Sequence, residues 1–158
     1  MKLEWGILIS VWIITVCMVF IIPKEKRRIA LAAFLFKQGV TWLSGLAVVE
    51  YHLISYPVRL FSDINRSSFT FEFFVYPVVC GVFNSYYPKS RGNLFKFLYF
   101  CIYCTILTVI EIPIEKYTKI INYINWAWYW TWITLFLTFL LTRLYILWFL
   151  KGISKEID

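Results

Sequence analysis

The sequence predicts an all-α integral membrane protein, a bundle of five transmembrane helices. Three observations carry this reading. Apolar and aromatic residues make up 61% of the 158-residue chain, and its mean hydropathy is +0.70. Charged residues make up only 16%, against about 25% in an ordinary soluble domain. The apolar residues also fall into five long stretches, each near the ~20 residues a helix needs to cross the hydrocarbon core. This pattern excludes a disordered chain and argues against a soluble globule. One domain over 1–158 is expected, because no Gly/Ser- or Pro-rich linker and no internal repeat divides the chain.

The first predicted span, 5–22, carries no charge. Its start resembles a secretory h-region. It has no small-x-small cleavage site, however, and it runs into Pro23-Lys24-Glu25-Lys26-Arg27-Arg28. An uncleaved span stopped by charge is the expectation. The second span, 29–51, holds Ala30, Ala32, Ala33, Gly39, Ser44, Gly45 and Ala47. Small residues let helices approach closely in lipid, so this helix is expected at the bundle centre. Residues 52–68 form the longest interruption, with Pro57, Arg59, Asp63 and Arg66. Within it, 53–62 is expected to lie flat at the interface as a short helix. The third span, 69–87, contains Pro77 and Gly81 and should kink. The fourth, 94–112, ends near Pro113. The fifth, 123–150, exceeds the crossing length and should tilt or protrude. Its first turns read Trp126-Ala127-Trp128-Tyr129-Trp130-Thr131-Trp132, rings that prefer the headgroup level.

Lysine and arginine counts orient the bundle. Segments 23–28 and 88–96 and the C-terminal tail carry nine; the N-terminus and segments 52–68 and 113–122 carry five. The two sets alternate along the chain, as five helices require. The positive-inside rule then puts the N-terminus outside and the C-terminus in the cytoplasm. The net charge of +7 reflects cationic loops facing an anionic leaflet rather than a nucleic-acid partner.

Charges near lipid need partners. Glu50, Glu72, Glu111 and Glu115 map to the outer ends of their spans. Glu111 and Glu115 share a helix face if that helix continues through Pro113. Arg59, Arg66, Lys116 and Lys119 lie on the same side, with His52 nearby. Salt bridges and hydrogen bonds closing the outer end are the plainer expectation. The sharper one is a proton or cation site built on clustered carboxylates. Lys37 and Arg143 lie deeper, roughly 12–14 Å from the cytoplasmic boundary by helical rise. No acidic residue falls at their depth. They must snorkel, bond to carbonyls or hydroxyls, or meet a lipid headgroup or a partner's carboxylate.

The chemistry-bearing motifs are few. Cys101-Ile102-Tyr103-Cys104 is a CxxC of the kind membrane thiol oxidoreductases use. It lies in mid-helix without a second loop pair, so Cys101 and Cys104 read as packing residues; Cys17 and Cys80 also lie inside apolar stretches. A single histidine excludes a bis-His haem within one chain. The cysteines lack zinc-ligand spacing. No G-x-S-x-G, GxGxxG or P-loop is present. No catalytic residue, cofactor or metal is therefore expected. Five spans and eight tryptophans are shared with the porphyrin-binding tryptophan-rich sensory proteins. Their Pro- and Trp-rich first loop is missing, which sets that family aside.

From Tyr56 onward a run of short motifs stands in order. Tyr56-Pro57-Val58-Arg59 precedes Ser68-Phe69-Thr70-Phe71-Glu72-Phe73-Phe74-Val75-Tyr76-Pro77. Phe83-Asn84, Tyr87-Pro88, Glu111, Glu115-Lys116-Tyr117-Thr118, the 126–132 aromatic run, Arg143 and Trp148-Phe149 follow. This order resembles a family of small multi-pass membrane proteins of endospore-forming Firmicutes, over roughly 34–150. The resemblance implies a five-helix bundle in a bacterial plasma membrane, with a spore membrane as a further setting. It implies no activity.

The expected function is non-enzymatic: a structural or accessory membrane protein acting by association with itself or with a larger complex. Minimal loops, the small-residue second helix and two deep cations without internal partners support it. Arg59 and Glu72 would then fix the 52–68 loop. The alternative is an oligomeric proton or cation transporter or channel subunit using the outer carboxylates. The expected partners are the lipid bilayer, further copies of the chain and other membrane proteins, and no nucleic acid.

Overall fold

The computed structural model describes residues 2–156, with side chains through Lys151. The chain is mostly helical. Helix α1 spans Lys2–Ile21 and α2 Arg27–Glu50, joined by one 3-10 turn at Lys24–Lys26. Strand β1 is Ile54–Ser55. A π-helical segment, Phe69–Val75, runs directly into α3, Tyr76–Ser85. Helix α4 is Asn93–Tyr117, β2 is Asn122–Tyr123 and α5 is Trp128–Glu156. Four helical stretches are long and apolar enough to cross a membrane: Lys2–Ile21, Lys24–Glu50, Asn93–Tyr117 and Trp128–Lys151. The fifth apolar stretch, Phe69–Ser85, is shorter.

The buried element at the centre is α3, not α2. Nine of its ten residues, Pro77 through Ser85, are buried. It packs against α1, α2 and α5. Being walled by other helices explains why it can be short. Irregular backbone survives at membrane depth only where other elements satisfy it. Pro77 brings no N–H, which frees the carbonyls four and five residues back. Both are capped from α2: Thr41 Oγ1 donates to the Glu72 carbonyl at 2.6 Å, and Gln38 Nε2 donates to the Phe73 carbonyl at 2.9 Å. So the proline produces a change of helix type, with Tyr76 N–H bonded to the Phe71 carbonyl. Ser68 caps the start of the segment by accepting from Phe71 N–H.

The long helices bury narrow stripes at helical spacing. On α2 the stripe is Ala30, Ala33, Lys37, Thr41 and Gly45. On α4 it is Phe100, Cys104, Thr108, Glu111 and Ile114. Helix backbones approach closely where Gly81 meets Ala30: a Cβ on Gly81 would stand 3.2 Å from the Ala30 carbonyl. Phe83, fully buried, anchors an aromatic cluster with Tyr87, Tyr99, Phe100, Tyr103 and Phe139.

Two ends result. At one, β1 and β2 pair antiparallel, with Ile54 opposite Tyr123. Val58 N–H donates to the Lys119 carbonyl, locking the 51–68 and 118–127 loops together. At the other, Tyr86 OH donates to the Ile21 carbonyl at 2.7 Å. We call these the sheet end and the basic end. The 53–62 stretch is therefore no interfacial helix. It consists of turns and β1, because its backbone finds a partner strand in 122–123. Helix α4 also passes beyond its predicted stop: Pro113 lies inside it and the last turn reaches Tyr117.

Candidate functional site

Two buried carboxyls share one cavity of about 200 Å³ near the sheet end, between α2, the π segment, α4 and α5. Glu111, on the buried stripe of α4, accepts three hydroxyl hydrogen bonds. Tyr76 donates to its Oε2 at 2.8 Å; Tyr123 and Thr131 donate to Oε1. Trp126 Nε1 donates to Thr131 Oγ1 at 2.9 Å and so fixes that hydroxyl. Glu72 sits on the first turn of the π segment. Its Oε1 accepts from Tyr56 OH at 3.0 Å, while Oε2 has no hydrogen-bond partner among the described residues. Ser67, beside it, donates instead to Asn65 Oδ1.

Tyr56 and Tyr123 belong to the sheet-end loops. Burial, reinforced by the Glu72 carboxylate, holds the Tyr56 hydroxyl above the ordinary tyrosine range. Burial and Glu111 do the same to Tyr123. Both therefore stay protonated and act as donors.

The expected polar cluster divides. Glu72 and Glu111 come together inside the bundle. Glu50 lies outside, exposed, and pairs with Arg66 at 3.4 Å. His52 occupies an exposed turn with φ 53°. Arg59 donates to the Tyr56, Ser62 and Asn65 carbonyls; it ties its own loop and meets no carboxylate among the described residues. Glu115 is half-buried, and Lys116 and Lys119 are exposed. Salt bridges thus do not close the buried part of this end. Hydroxyls do, because a phenol can satisfy a buried carboxyl without a second desolvated charge.

The deep cations have partners within the chain. Lys37 is fully buried. Its Nζ donates to Thr138 Oγ1 and lies 4.3 Å from the centre of the Phe139 ring. Thr138 also lines the carboxyl cavity, but Lys37 itself does not. Further toward the basic end, Arg143 Nη1 donates to Asn84 Oδ1 at 3.3 Å, and the guanidinium stacks 3.9 Å over Tyr87. Asn84 in turn donates to the Cys80 carbonyl. Polar side chains therefore mark the core from Glu111 to Arg143, but the Phe83 cluster fills the half below Lys37.

Cys101 is half-buried and Cys104 fully buried; both are free. Among the described residues, no three His, Cys, Asp or Glu side chains gather as metal ligands. Tyr56, Tyr76, Tyr123, Thr131, Thr138 and Asn84 are the site residues the sequence reading did not assign. One signal could have found some of them. Thr131, Thr134, Thr138 and Thr142 recur at spacings of three and four on α5, a hydroxyl stripe on one helix face.

Fold and site together define a class: a helical protein with four helices of membrane-crossing length and ionisable groups in its interior. In comparison with known proteins, no family model, curated protein or solved structure matches the chain.

Proposed function

We propose that this chain is a non-enzymatic membrane protein whose working part is the Glu72–Glu111 cavity. There it takes up a proton or a small cation from the outer face. It passes the result on by association, with copies of itself or within a larger membrane complex. The observation that carries this reading is the pair of buried carboxyls in one cavity, held by hydroxyls and unmatched by any adjacent cation. Buried carboxyls without counter-charges are costly and mark proton or ion sites inside membranes. The deep cations argue less for a partner's carboxylate than they do on sequence grounds, since Thr138 and Asn84 meet them within the chain.

In this reading five segments cross the bilayer, with Phe69–Ser85 as the short central one. That segment begins beside the Tyr56 loop and ends beside Ile21, so it joins the two ends. The sheet end carries five Lys and Arg and the basic end nine, which puts the sheet end and its carboxyl cavity outside. The aromatic filling below Lys37 supports uptake and signalling over conduction through one monomer. A conducting form would need a path between copies.

The test is a pH jump on the purified, reconstituted chain, reading proton uptake with a pH dye in weak buffer. Uptake should fall in Glu72→Gln and Glu111→Gln and persist in Glu115→Gln, which sits outside the cavity. Unchanged uptake in both cavity variants removes the assignment.

A further inference from the structure

The walls of the same cavity restrict what cation it can take, and this inference rests on the carboxylate reading above. Glu111 is saturated by Tyr76, Tyr123 and Thr131. Glu72 is not: the residue lines the cavity while only 4% exposed, and its Oε2 has no donor among the described residues. Calcium asks for six to eight oxygens and magnesium for an octahedron of them. Here, with Glu111 saturated, Glu72 is the one lining carboxylate left to meet a cation, too few charged oxygens for either ion. Much of the remaining wall is apolar, with Val48, Ile54, Trp126 and Leu135. An engineered apolar cavity of about 150 Å³ holds benzene, so a volume near 200 Å³ suits about eight non-hydrogen atoms.

Access is sideways. Ser44 on α2 and Leu137 on α5 line the cavity and are both exposed. Ser44 lies roughly 9 Å below Glu50 by helical rise, within the apolar belt of the bundle. An occupant reaching this rim must tolerate hydrocarbon at one end and offer a cation at the other. We propose that the cavity binds a small amphiphilic primary ammonium, an alkyl- or aralkylamine. Its N–H groups donate to the Glu72 carboxylate, and its apolar body lies against Trp126 and Leu135. An aminolipid headgroup shares the ammonium but brings a phosphate, which two carboxylates would repel.

The experiment uses the purified full chain in detergent, with intrinsic tryptophan fluorescence reporting the melt. Benzylamine at tenfold excess over its Kd should raise Tm by about 3 °C. Benzyl alcohol, the neutral isostere, should not. Glu72→Gln should abolish the shift. Because that variant could misfold, Leu137→Trp serves as a second: it adds bulk at an exposed rim position, keeps the starting Tm and blocks access. Phosphatidylethanolamine in the micelle should not compete; competition would overturn the exclusion of phosphate. Equal shifts from amine and alcohol, or shifts that survive both variants, overturn the proposal. If benzylamine fails while pH-jump uptake still depends on Glu72 and Glu111, the amine inference falls alone. If both fail, the carboxylate reading falls with it.

Discussion

The Glu72 carboxyl lies against the bare Cα of Gly45: a Cβ built on that glycine would fall within the carboxyl group itself. Glycine at this point of α2 therefore makes room for a buried acid. Helix propensity alone predicts that Gly45→Ala stabilises, by up to about 1 kcal/mol. Packing predicts the opposite, a loss of about 1–3 kcal/mol from overpacking. We expect packing to win and the melting temperature to fall. The double variant Gly45→Ala/Glu72→Ala should recover most of the loss, since the two residues compete for one volume. A Gly45→Ala protein as stable as the parent would show that the carboxyl swings aside freely.

Thr41 and Pro77 form a second coupled pair. Thr41 supplies the donor that the proline withholds from the Glu72 carbonyl. Thr41→Val should lower stability by about 0.6–1.7 kcal/mol, the range for hydrogen bonds within membrane bundles. In a Pro77→Ala background residue 77 regains its N–H, and the same substitution should cost less. Equal costs in both backgrounds would break the link between the capping hydroxyl and the missing N–H.

These couplings explain what was legible beforehand. The long helices could be read because each needs only length and apolarity, and both lie in the local sequence. Their ends shifted by a few residues where the chain found partners: α4 passes Pro113, whereas 123–127 leaves α5 to pair β2 with β1. The identity of the central element could not be read that way. Small residues mark α2, but α3 is the more buried, because burial depends on how many helices surround a segment. The site was half legible. Glu72 and Glu111 stand out as charges in apolar context. Their separation from Glu50, Arg59 and Lys116 required knowing that Tyr56, Tyr76 and Tyr123 converge from three distant stretches. Lys37 stands at the i, i+4 spacing of the stripe that runs on through Thr41 and Gly45, so its inward direction could have been read from that pattern. Its hydroxyl partner, 101 positions away, could not.

Tyr56 predicts an alkaline limb in stability. Its hydroxyl is raised by burial first and then by the Glu72 carboxylate. An unfolded tyrosine titrates near 10. A group raised in the folded state contributes stability that is fully present below the unfolded value and lost as pH climbs toward the folded one. Melting temperature should therefore not fall through Tyr56 between about pH 7 and 9, and should decline above about 10. In Tyr56→Phe the whole curve should sit lower, because Glu72 loses its donor, and the alkaline decline should be shallower. Parallel declines in the two proteins would assign that limb to other groups.

Lys37 and Thr138 form a further coupled pair. Its ammonium is wholly buried and donates to one hydroxyl, Thr138 Oγ1. Removing one partner of a buried polar pair strands the other, whereas replacing the charge with an apolar side chain of similar shape is often neutral or stabilising. Thr138→Val should thus lower the melting point, by about 1–3 kcal/mol in stability. Lys37→Met should leave it unchanged or raise it, and Lys37→Met/Thr138→Val should resemble Lys37→Met alone. A Lys37 that reached the basic end by snorkelling would make Thr138→Val harmless, so a neutral Thr138→Val overturns the buried arrangement.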